Sequence, residues 1–390
     1  MTIPLTSPYC SDAGLQYVAE AIRSRHLHYG GPFARRCESL LRAAIGSPAI
    51  FLTSSCTSAL EFSAQVLAIQ GGDEVIVPAY SFVSTVSAYQ AYGARVAFCD
   101  VEPGTLNIDA TRLESALTAR TRAIVVVHYA GVSADLDPIL RMCRERGIAL
   151  IEDVAHGLFA RYKGRALGSI GDLAVLSFDH QKNFTCGEGG ALLVNNRLLI
   201  DRAEVVAHCG TNRAAFDRGE QDQYVWMDIG SKRFPSELQA AYLLSQLEGR
   251  PAIQKARRDV WMYYETHLAN WARSNGVALP QVPSYCEPAY HLFYVLLPST
   301  HSRDALVEHL KKRGVQSASH YVVLHLTPAG RLLGGDIGQH PTAESAASML
   351  LRLPCHANLS EAELERVVDA ITSFDATGTT QEDTGGAPGR

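Results

Sequence analysis

The sequence lacks the features that would mark a membrane, exported or nucleic-acid-binding protein. No apolar run reaches the length of a membrane-spanning helix. The first residues carry neither the basic nor the apolar region of an export signal. A net charge of -5 supplies no basic surface for nucleic acid or anionic lipid. We therefore expect a soluble, cytoplasmic protein that binds neither nucleic acid nor membranes.

The cysteines form no recognisable site either. There are nine of them, no two make a CxxC pair, and none has a histidine at zinc-finger spacing. Their odd number argues against a disulfide framework. We expect them to be small buried hydrophobic side chains in a reducing compartment, and we expect no metal site.

Strand and helix patterns alternate over the first two-thirds of the 390 residues. Apolar, β-rich runs predict five strands, at Glu74–Val77, Arg95–Val101, Ala123–Tyr129, Ile148–Val154 and Leu173–Phe178. Helical periodicity lies between them, at Ser58–Gln70, Ser84–Tyr92, Asp109–Thr118 and Asp137–Arg146. Nearly continuous apolar strands that alternate with helices are typical of a mostly parallel, doubly wound α/β sheet.

The regular alternation of strand and helix patterns ends near residue 250. A second domain is expected there, because a chain of 390 residues is longer than one hydrophobic core usually serves. Ser236–Leu247 predicts an amphipathic helix just before that point. Helix patterns and one short strand follow, at Ala252–Ala269, Arg303–Arg313, Ser360–Ser373 and His291–Leu297. We divide the chain into a large domain over 1–249, a smaller C-terminal α/β domain over 250–375 and a disordered tail over 376–390.

Polar or aromatic residues follow several of the predicted strands. In open α/β sheets ligands bind beyond the carboxyl ends of the strands. The stretches at those ends are Thr53–Thr57, Pro78–Phe82, Asp153–His156 and Phe178–Lys182. We expect these four stretches to meet at one edge of the sheet.

Lys182 is the candidate with the most reactive chemistry. It lies between an apolar strand and a glycine-rich turn, Gly187–Gly190, which permits a close backbone approach to a bound group. A lysine is ordinarily a solvated surface charge. A desolvated lysine has a lowered pKa, and its neutral amine forms a Schiff base with a carbonyl.

The other strand ends supply groups that suit pyridoxal phosphate (PLP). Asp153 closes a buried strand, either as a cap or as the anion opposite a protonated pyridine nitrogen. A helix that opens near Ser58 points its N–H groups at the loop Ser55–Thr57, as an ordinary N-cap or as a phosphate site. Ser177 offers another hydroxyl for phosphate, and Phe82 either stacks on a flat ring or packs in the core.

The chain resembles the PLP-dependent sugar aminotransferases of fold type I known as the DegT/DnrJ/EryC1/StrS family. The resemblance runs from IPLTSP to LPCHANLS and therefore covers nearly the whole chain. Its motifs occur in the family's order and spacing: GPFARRCE, TSSCTSALE, GDEVIVPAYSFVST, HYAGVSADLD, IEDVAH, KGRALGSIGDLAVLSF, KNFTCGEGGA and SELQAAYLLSQLE.

The resemblance implies roles for the residues at the cofactor. Lys182 links covalently to PLP, and Asp153 pairs with the pyridine nitrogen. The phosphate is held by Ser177 and by the amides of Cys56 and Thr57. The lysine argues against the branch of the family that carries histidine there and acts as sugar dehydratases.

The resemblance also implies the surroundings of the ring and a shared site. Phe82 stacks on the cofactor, and His156 stands where many members carry glutamine near the cofactor's 3-hydroxyl, with a charge that would vary with pH. The implied assembly is a homodimer with shared active sites. At the position of an asparagine that reaches the neighbouring subunit's phosphate this chain has Lys232, and the adjacent Arg233 is an alternative.

Within the family, HCGTNRAAFDRGEQDQYVWMDIGS resembles the dTDP-4-keto-6-deoxy-D-glucose 4-aminotransferases. The implied reaction takes an amino group from L-glutamate, releases 2-oxoglutarate, and yields a dTDP-4-amino-4,6-dideoxyhexose of gluco or galacto configuration. Arg213 and Arg218 would face the nucleotide diphosphate or form an ordinary exposed basic loop. His320 and Tyr321 match a segment that lines the sugar pocket. A 3-aminotransferase and a non-catalytic PLP-binding protein are the alternatives.

Overall fold

The computed structural model describes residues 2–376, and a seven-stranded sheet forms the centre of its large domain. The strands of the chain are β1 (Ala49–Thr53), β2 (Glu74–Pro78), β3 (Arg95–Cys99), β4 (Thr121–Val127), β5 (Ala149–Asp153), β6 (Arg161–Tyr162), β7 (Arg165–Ala166), β8 (Leu173–Ser177), β9 (Gly190–Val194), β10 (Cys286–Glu287), β11 (Phe293–Leu296) and β12 (Leu350–Leu353). The central sheet contains β1 to β5 together with β8 and β9.

Helices cover the sheet and build the small domain. In chain order they are α1 (Asp12–Ser24), α2 (Pro32–Ile45), α3 (Cys56–Val66), α4 (Ser84–Gln90), α5 (Ala110–Ala116), α6 (Leu136–Arg146), α7 (Ile200–Ala207), α8 (Arg213–Asp217), α9 (Glu237–Glu248), α10 (Arg250–Ser274), α11 (Thr300–Lys312), α12 (Pro328–Leu332), α13 (Pro341–Met349) and α14 (Glu361–Thr372). Short 3-10 turns lie at Tyr129–Gly131, Arg197–Leu199 and Leu324–Leu326.

The strand order is β1-β9-β8-β5-β4-β2-β3, and all neighbours from β8 to β3 are parallel. β9 runs antiparallel to both β8 and β1. Hydrophobic clusters fill both faces of the sheet, which explains why its strands are continuous apolar runs rather than alternating ones. The mostly parallel α/β sheet predicted from the sequence is confirmed.

The five predicted strands all occur, with ends that differ by no more than two residues. The prediction missed β9, which pairs with β8, and β1, the edge strand that pairs with β9. It also expected an amphipathic segment over Ser236–Leu247, where the helix α9 occurs, but its amphipathic character was wrong. Eight of the twelve residues of α9 are buried because the helix lies against both α1 and α2.

We propose that the small domain begins where the sequence changes, at Gly249 between α9 and α10. Its core lies between α10, α11, α14 and the antiparallel pair β11–β12. Ala376, assigned to a disordered tail, is buried, and its N–H donates to Oδ1 of Asn275 at 2.7 Å. The rest of the predicted tail lies outside the described residues.

Two further findings concern the described residues alone. None of their helices has the length and apolar character to cross a bilayer. All nine cysteines are free thiols.

A buried carboxylate, Glu152, holds β5 and the turn before β8 in register. Its oxygens accept hydrogen bonds from the backbone N–H groups of Gly168, Ile170 and Gly171 at 2.7 to 3.0 Å, and Oε2 lies 3.2 Å from Nε2 of His128. Burial acts to raise the pKa of Glu152, but the hydrogen bonds from His128 and the backbone hold it below its ordinary value. The next residue in β5 is Asp153.

We predict that Glu152→Gln lowers the free energy of unfolding by about 3 kcal/mol, because an amide cannot satisfy all of these buried donors. Urea denaturation of the whole protein measures the change. Glu114→Gln is the matched control, since Glu114 pairs with Arg146 on the surface and its loss costs about 0.5 kcal/mol or less. Equal effects of the two substitutions would contradict the role assigned to Glu152.

Candidate active site

A cavity of about 530 Å³ lies at the carboxyl edge of the sheet, where the strand ends meet the small domain. Its wall contains nine of the eleven residues predicted to form the site: Cys56, Thr57, Phe82, Asp153, His156, Ser177, Lys182, His320 and Tyr321. The four predicted strand-end stretches therefore contribute to one place. Lys232 and Arg213 are the two that do not line the cavity.

The start of α3 forms one end of the cavity. The helix begins at Cys56, two residues earlier than predicted, because Ser55 is its N-cap and accepts a hydrogen bond from the N–H of Ser58 at 3.0 Å. The N–H groups of Cys56 and Thr57 lie in the first turn, where a helix has no internal acceptors for them. Together with the hydroxyl of Ser177 they form an anion site.

The glycine-rich turn has a structural role that differs from the predicted one. A Cβ atom on Gly190 would lie 2.6 Å from the backbone nitrogen of Cys56. The close approach at Gly190 is therefore made to the protein's own Ser55–Cys56 peptide. Glycine at the start of β9 lets that strand pair with β1 directly behind the anion site.

Lys182 and Asp153 line the cavity together, and each influences the pKa of the other. Burial lowers the pKa of Lys182, while the negative charge of Asp153 opposes this shift. Burial raises the pKa of Asp153, and its Oδ1 accepts a hydrogen bond from the N–H of Ala155 at 3.0 Å. A carboxyl group so buried favours a cationic ligand group beside it.

His156 differs from the sequence-based expectation in its charge. Burial, together with the positive charges of Lys182 and Arg352, holds its pKa well below the ordinary value. The imidazole is therefore neutral at physiological pH and does not titrate there. Its Nε2 lies 3.2 Å from Oη of Tyr321, and its Nδ1 is buried without a partner among the described residues.

Two other histidines share this neutral environment. His291 stacks on His156 with ring centroids 4.2 Å apart, and burial lowers its pKa well below the ordinary value. Burial and the charge of Arg352 lower the pKa of His320 to about 2. Nδ1 of His320 lies 3.0 Å from Oη of Tyr129. These rings supply shape and hydrogen bonds to the cavity but no charge.

Phe82 lies at the rim of the cavity with 55% of its surface exposed. Core packing, one of the two roles considered from the sequence, is therefore excluded for most of this side chain. A large exposed aromatic ring at a cavity rim suits stacking on a flat ligand.

Sequence reasoning missed Arg352, which reaches the cavity from β12 in the small domain. The available signal was a charged residue inside the apolar run LLRLP, a pattern that is unusual for a buried strand.

The two candidates for a cross-subunit phosphate contact differ in their surroundings. The guanidinium of Arg233 donates to Glu61, to Oε1 of Gln65 at 3.1 Å and to Oη of Tyr92 at 2.7 Å. Lys232 is exposed. The side chain of Arg233 is thus held within its own subunit, whereas that of Lys232 faces outward.

Arg213, which ends the GTNR motif, and the nearby Arg218 also lie outside the cavity of their own subunit. Arg213 donates to the carboxylate of Asp217 at 2.7 and 2.8 Å. Arg218 pairs with Glu204 and Glu220. Both arginines are exposed, so these ion pairs contribute little to stability.

The cavity fits PLP in each of its parts. An anion site lies at the start of a helix, an amine of lowered pKa lies beside a buried carboxylate, and an exposed aromatic ring lies at the rim. Among residues 2–376, no cluster of three or more histidine, cysteine or acidic side chains is arranged to hold a metal ion. Fold and site together define a PLP-dependent transferase of fold type I.

The family model of the DegT/DnrJ/EryC1/StrS aminotransferases matches residues 9–372, and the chain belongs to this family. A relative of 32% identity is the dTDP-4-dehydro-2,3,6-trideoxy-D-glucose 4-aminotransferase of Saccharopolyspora spinosa, aligned over 94% of this chain and 95% of the relative.

Solved structures of similar proteins agree in fold. The aminotransferase TlmJ from Streptoalloteichus hindustanus is 33% identical, with a TM-score of 0.86 over 95% of this chain and 98% of its own. Spr1654 from Streptococcus pneumoniae is 26% identical, with a TM-score of 0.88 over 96% of this chain, and is known in PLP and PMP forms. The alignment covers 97 to 98% of the Spr1654 chain. This protein is a nucleotide-sugar aminotransferase with PLP as its cofactor.

We predict that Lys182 in the cofactor-free protein reacts with an acylating reagent at lower pH than other lysines do. Its pKa is lowered by burial, so more of it is the neutral nucleophile at a given pH. Lys163 is the control, because its hydrogen bond to Asp137 raises its pKa. Competitive labelling across a pH series, read by mass spectrometry, gives both titrations. A midpoint for Lys182 at or above that of Lys163 would refute the assignment.

Proposed function

We propose that the enzyme transfers the amino group of L-glutamate to C4 of dTDP-4-keto-6-deoxy-D-glucose and so forms a dTDP-4-amino-4,6-dideoxyhexose. The observation that carries this proposal is the cavity in which Lys182, Asp153 and an anion site converge. The choice of C4 is supported by the 4-aminotransferase relative from Saccharopolyspora spinosa and by the motif around GTNR.

When bound, PLP supplies an aldehyde that accepts the amino group and a ring that spreads the negative charge of a deprotonated carbon. Lys182 performs the proton transfers, because its amine has a pKa lowered by burial. The neutral amine takes a proton from the amino-acid carbon as base, and the resulting ammonium delivers it as acid. The same group acts in reverse on the sugar carbon.

With PLP bound, Asp153 would hold a proton on the ring nitrogen. Its carboxylate is buried, and a cationic N–H opposite it offsets the cost of that burial. The neutral His156 offers a hydrogen bond to the ring hydroxyl without adding charge. The free thiols support a reducing compartment, and we propose that the enzyme acts in the cytoplasm.

Two alternatives lead to different products. A 3-aminotransferase would act on a dTDP-3-keto-6-deoxyhexose in the same cavity. A non-catalytic PLP-binding protein would hold the cofactor without turnover, but a lysine of lowered pKa beside a buried carboxylate argues against it.

We predict that the purified enzyme with L-glutamate and dTDP-4-keto-6-deoxyglucose yields a C4 amine, detected by NMR of the product. Large H3–H4 and H4–H5 couplings indicate the gluco product and small ones the galacto product.

Lys182→Ala should lower turnover at least about 1000-fold, because the proton-transfer group is lost. Amination only of the 3-keto sugar would favour the first alternative, and cofactor binding without turnover on either ketone would favour the second.

We also propose a homodimer in which Lys232 contacts the cofactor phosphate of the partner subunit. Several large apolar side chains near it in sequence are exposed, among them Trp226 at 76% and Ile229 at 73%. An exposed apolar patch of this kind suits a protein–protein interface. Lys232 itself is exposed, whereas Arg233 is held by its own subunit.

Subunit mixing tests this contact. We predict that Lys182→Ala and Lys232→Ala homodimers are each impaired, the latter by about tenfold through loss of a charged phosphate contact. A mixed dimer of the two variants regains one intact site, and therefore about half of wild-type activity, only if Lys232 acts across the interface. A second mixed dimer, made of the Lys182→Ala and Lys255→Ala variants, is the control. Lys255 is exposed, so this dimer keeps one intact site and defines half of wild-type activity. A mixed dimer no better than half of the Lys232→Ala enzyme would place Lys232 in its own site.

A further inference from the structure

Arg352 is a buried cation without a protein counter-charge. Only 7% of the residue is exposed, its Nε is buried without a partner, and no ion pair or side-chain hydrogen bond within residues 2–376 involves its guanidinium. A buried charge in this condition is costly unless a ligand supplies the opposite charge. The side chain reaches the wall of the cavity, so such a ligand would bind there.

The position of Arg352 is fixed by the small domain. It lies in β12 opposite Tyr294 of β11, and its backbone also pairs with Ala318. Leu351 and Leu353, on either side, are buried in the core of the small domain. The alternation of a β-strand therefore turns Arg352 away from that core and toward the cavity.

The groups around Arg352 leave its charge uncompensated. His320 and His156 stay neutral, and the positive charge of Arg352 is one of the reasons. The same charge also acts on Lys182. Asp153, Asp179 and Glu188 also line the cavity, but none of them forms an ion pair with Arg352 among residues 2–376.

We propose that Arg352 binds the α-carboxylate of the amino-acid donor by a paired hydrogen bond from its guanidinium. This inference rests on the proposed function for the identity of the donor, and it names the group that recognises it. The planar fork of an arginine matches the two oxygens of a carboxylate. In an amino acid the carboxylate is one bond from the carbon whose proton Lys182 removes, so its partner must lie near Lys182.

The anion site at the start of α3 would hold the phosphate of the cofactor, so Arg352 is not needed for that phosphate and can bind the carboxylate of the donor. The phosphate of the cofactor is met there by the helix N-terminus and Ser177. The ketone end of the sugar has no carboxylate, so Arg352 serves the first half of the reaction and not the second. The structure therefore separates recognition of the two substrates although they share Lys182.

The test compares the holoenzyme with its Arg352→Gln and Arg352→Lys variants in two measurements. Calorimetry with glutarate, an unreactive dicarboxylate, measures carboxylate binding without turnover. The absorption change of the cofactor on mixing with L-glutamate measures the donor half-reaction. We expect Arg352→Gln to weaken glutarate binding and to lower the second-order rate constant with glutamate by about 100-fold each, with a smaller loss in Arg352→Lys.

Controls separate this effect from misfolding and from a contact with the nucleotide. Binding of dTDP to Arg352→Gln should stay within about twofold of wild type. Arg331→Gln, an exposed change in the same domain, should alter neither measurement. Unchanged glutarate binding, or a loss confined to dTDP, would overturn the proposal.

The outcome is independent of the sugar. A wild-type enzyme that reacts with amino acids but aminates no keto sugar refutes the proposed function and still tests Arg352, because the donor half-reaction needs no sugar. Alanine and glutamine serve as further donors, since they share the α-carboxylate. A wild-type enzyme that reacts equally well with 4-aminobutyrate, which lacks that carboxylate, would overturn the inference.

Discussion

The register between β5 and β8 is the constraint on which the site depends. Glu152 and Asp153 are neighbours in β5 and point to opposite faces of the sheet. Glu152 binds the turn that leads into β8 and so fixes where Ser177 and the following Lys182 lie. One buried carboxylate thereby determines how far the other lies from the reactive amine.

The cavity illustrates how a slightly acidic protein builds a site for anions. Its basic side chains are Lys182 and Arg352, and burial keeps His156, His291 and His320 neutral. The acidic side chains that line the cavity form no ion pair with Arg352 among the described residues, so its charge is left for a ligand anion. A histidine that became charged in this place would add a further cation and weaken the basicity on which Lys182 relies.

Local sequence patterns predicted the sheet and most of the site because both depend on short-range features. Apolar runs of five to seven residues mark buried parallel strands, and the residues after them fall at one edge by topology alone. The features that the sequence did not predict depend on long-range packing. The burial of α9 comes from α1 and α2. His156 is neutral first because the folded chain buries it and then because Lys182 and Arg352 lie near it, and Arg352 reaches the cavity from β12. None of these can be seen within a window of neighbouring residues.

The two domains contribute different residues to the cavity, and this suggests how one lysine can act on two unlike substrates. Within one subunit, the residues that we propose to hold the cofactor lie at strand ends of the large domain, whereas His320, Tyr321 and Arg352 come from the small domain. Changes in the small domain can therefore alter which amine or ketone is accepted while the proton-transfer machinery stays intact. For the amination at C4 that we propose, the small domain and the rim would determine which face the sugar presents, because Lys182 approaches from a fixed direction. Stereochemistry in this enzyme is thus a property of substrate orientation rather than of the catalytic group.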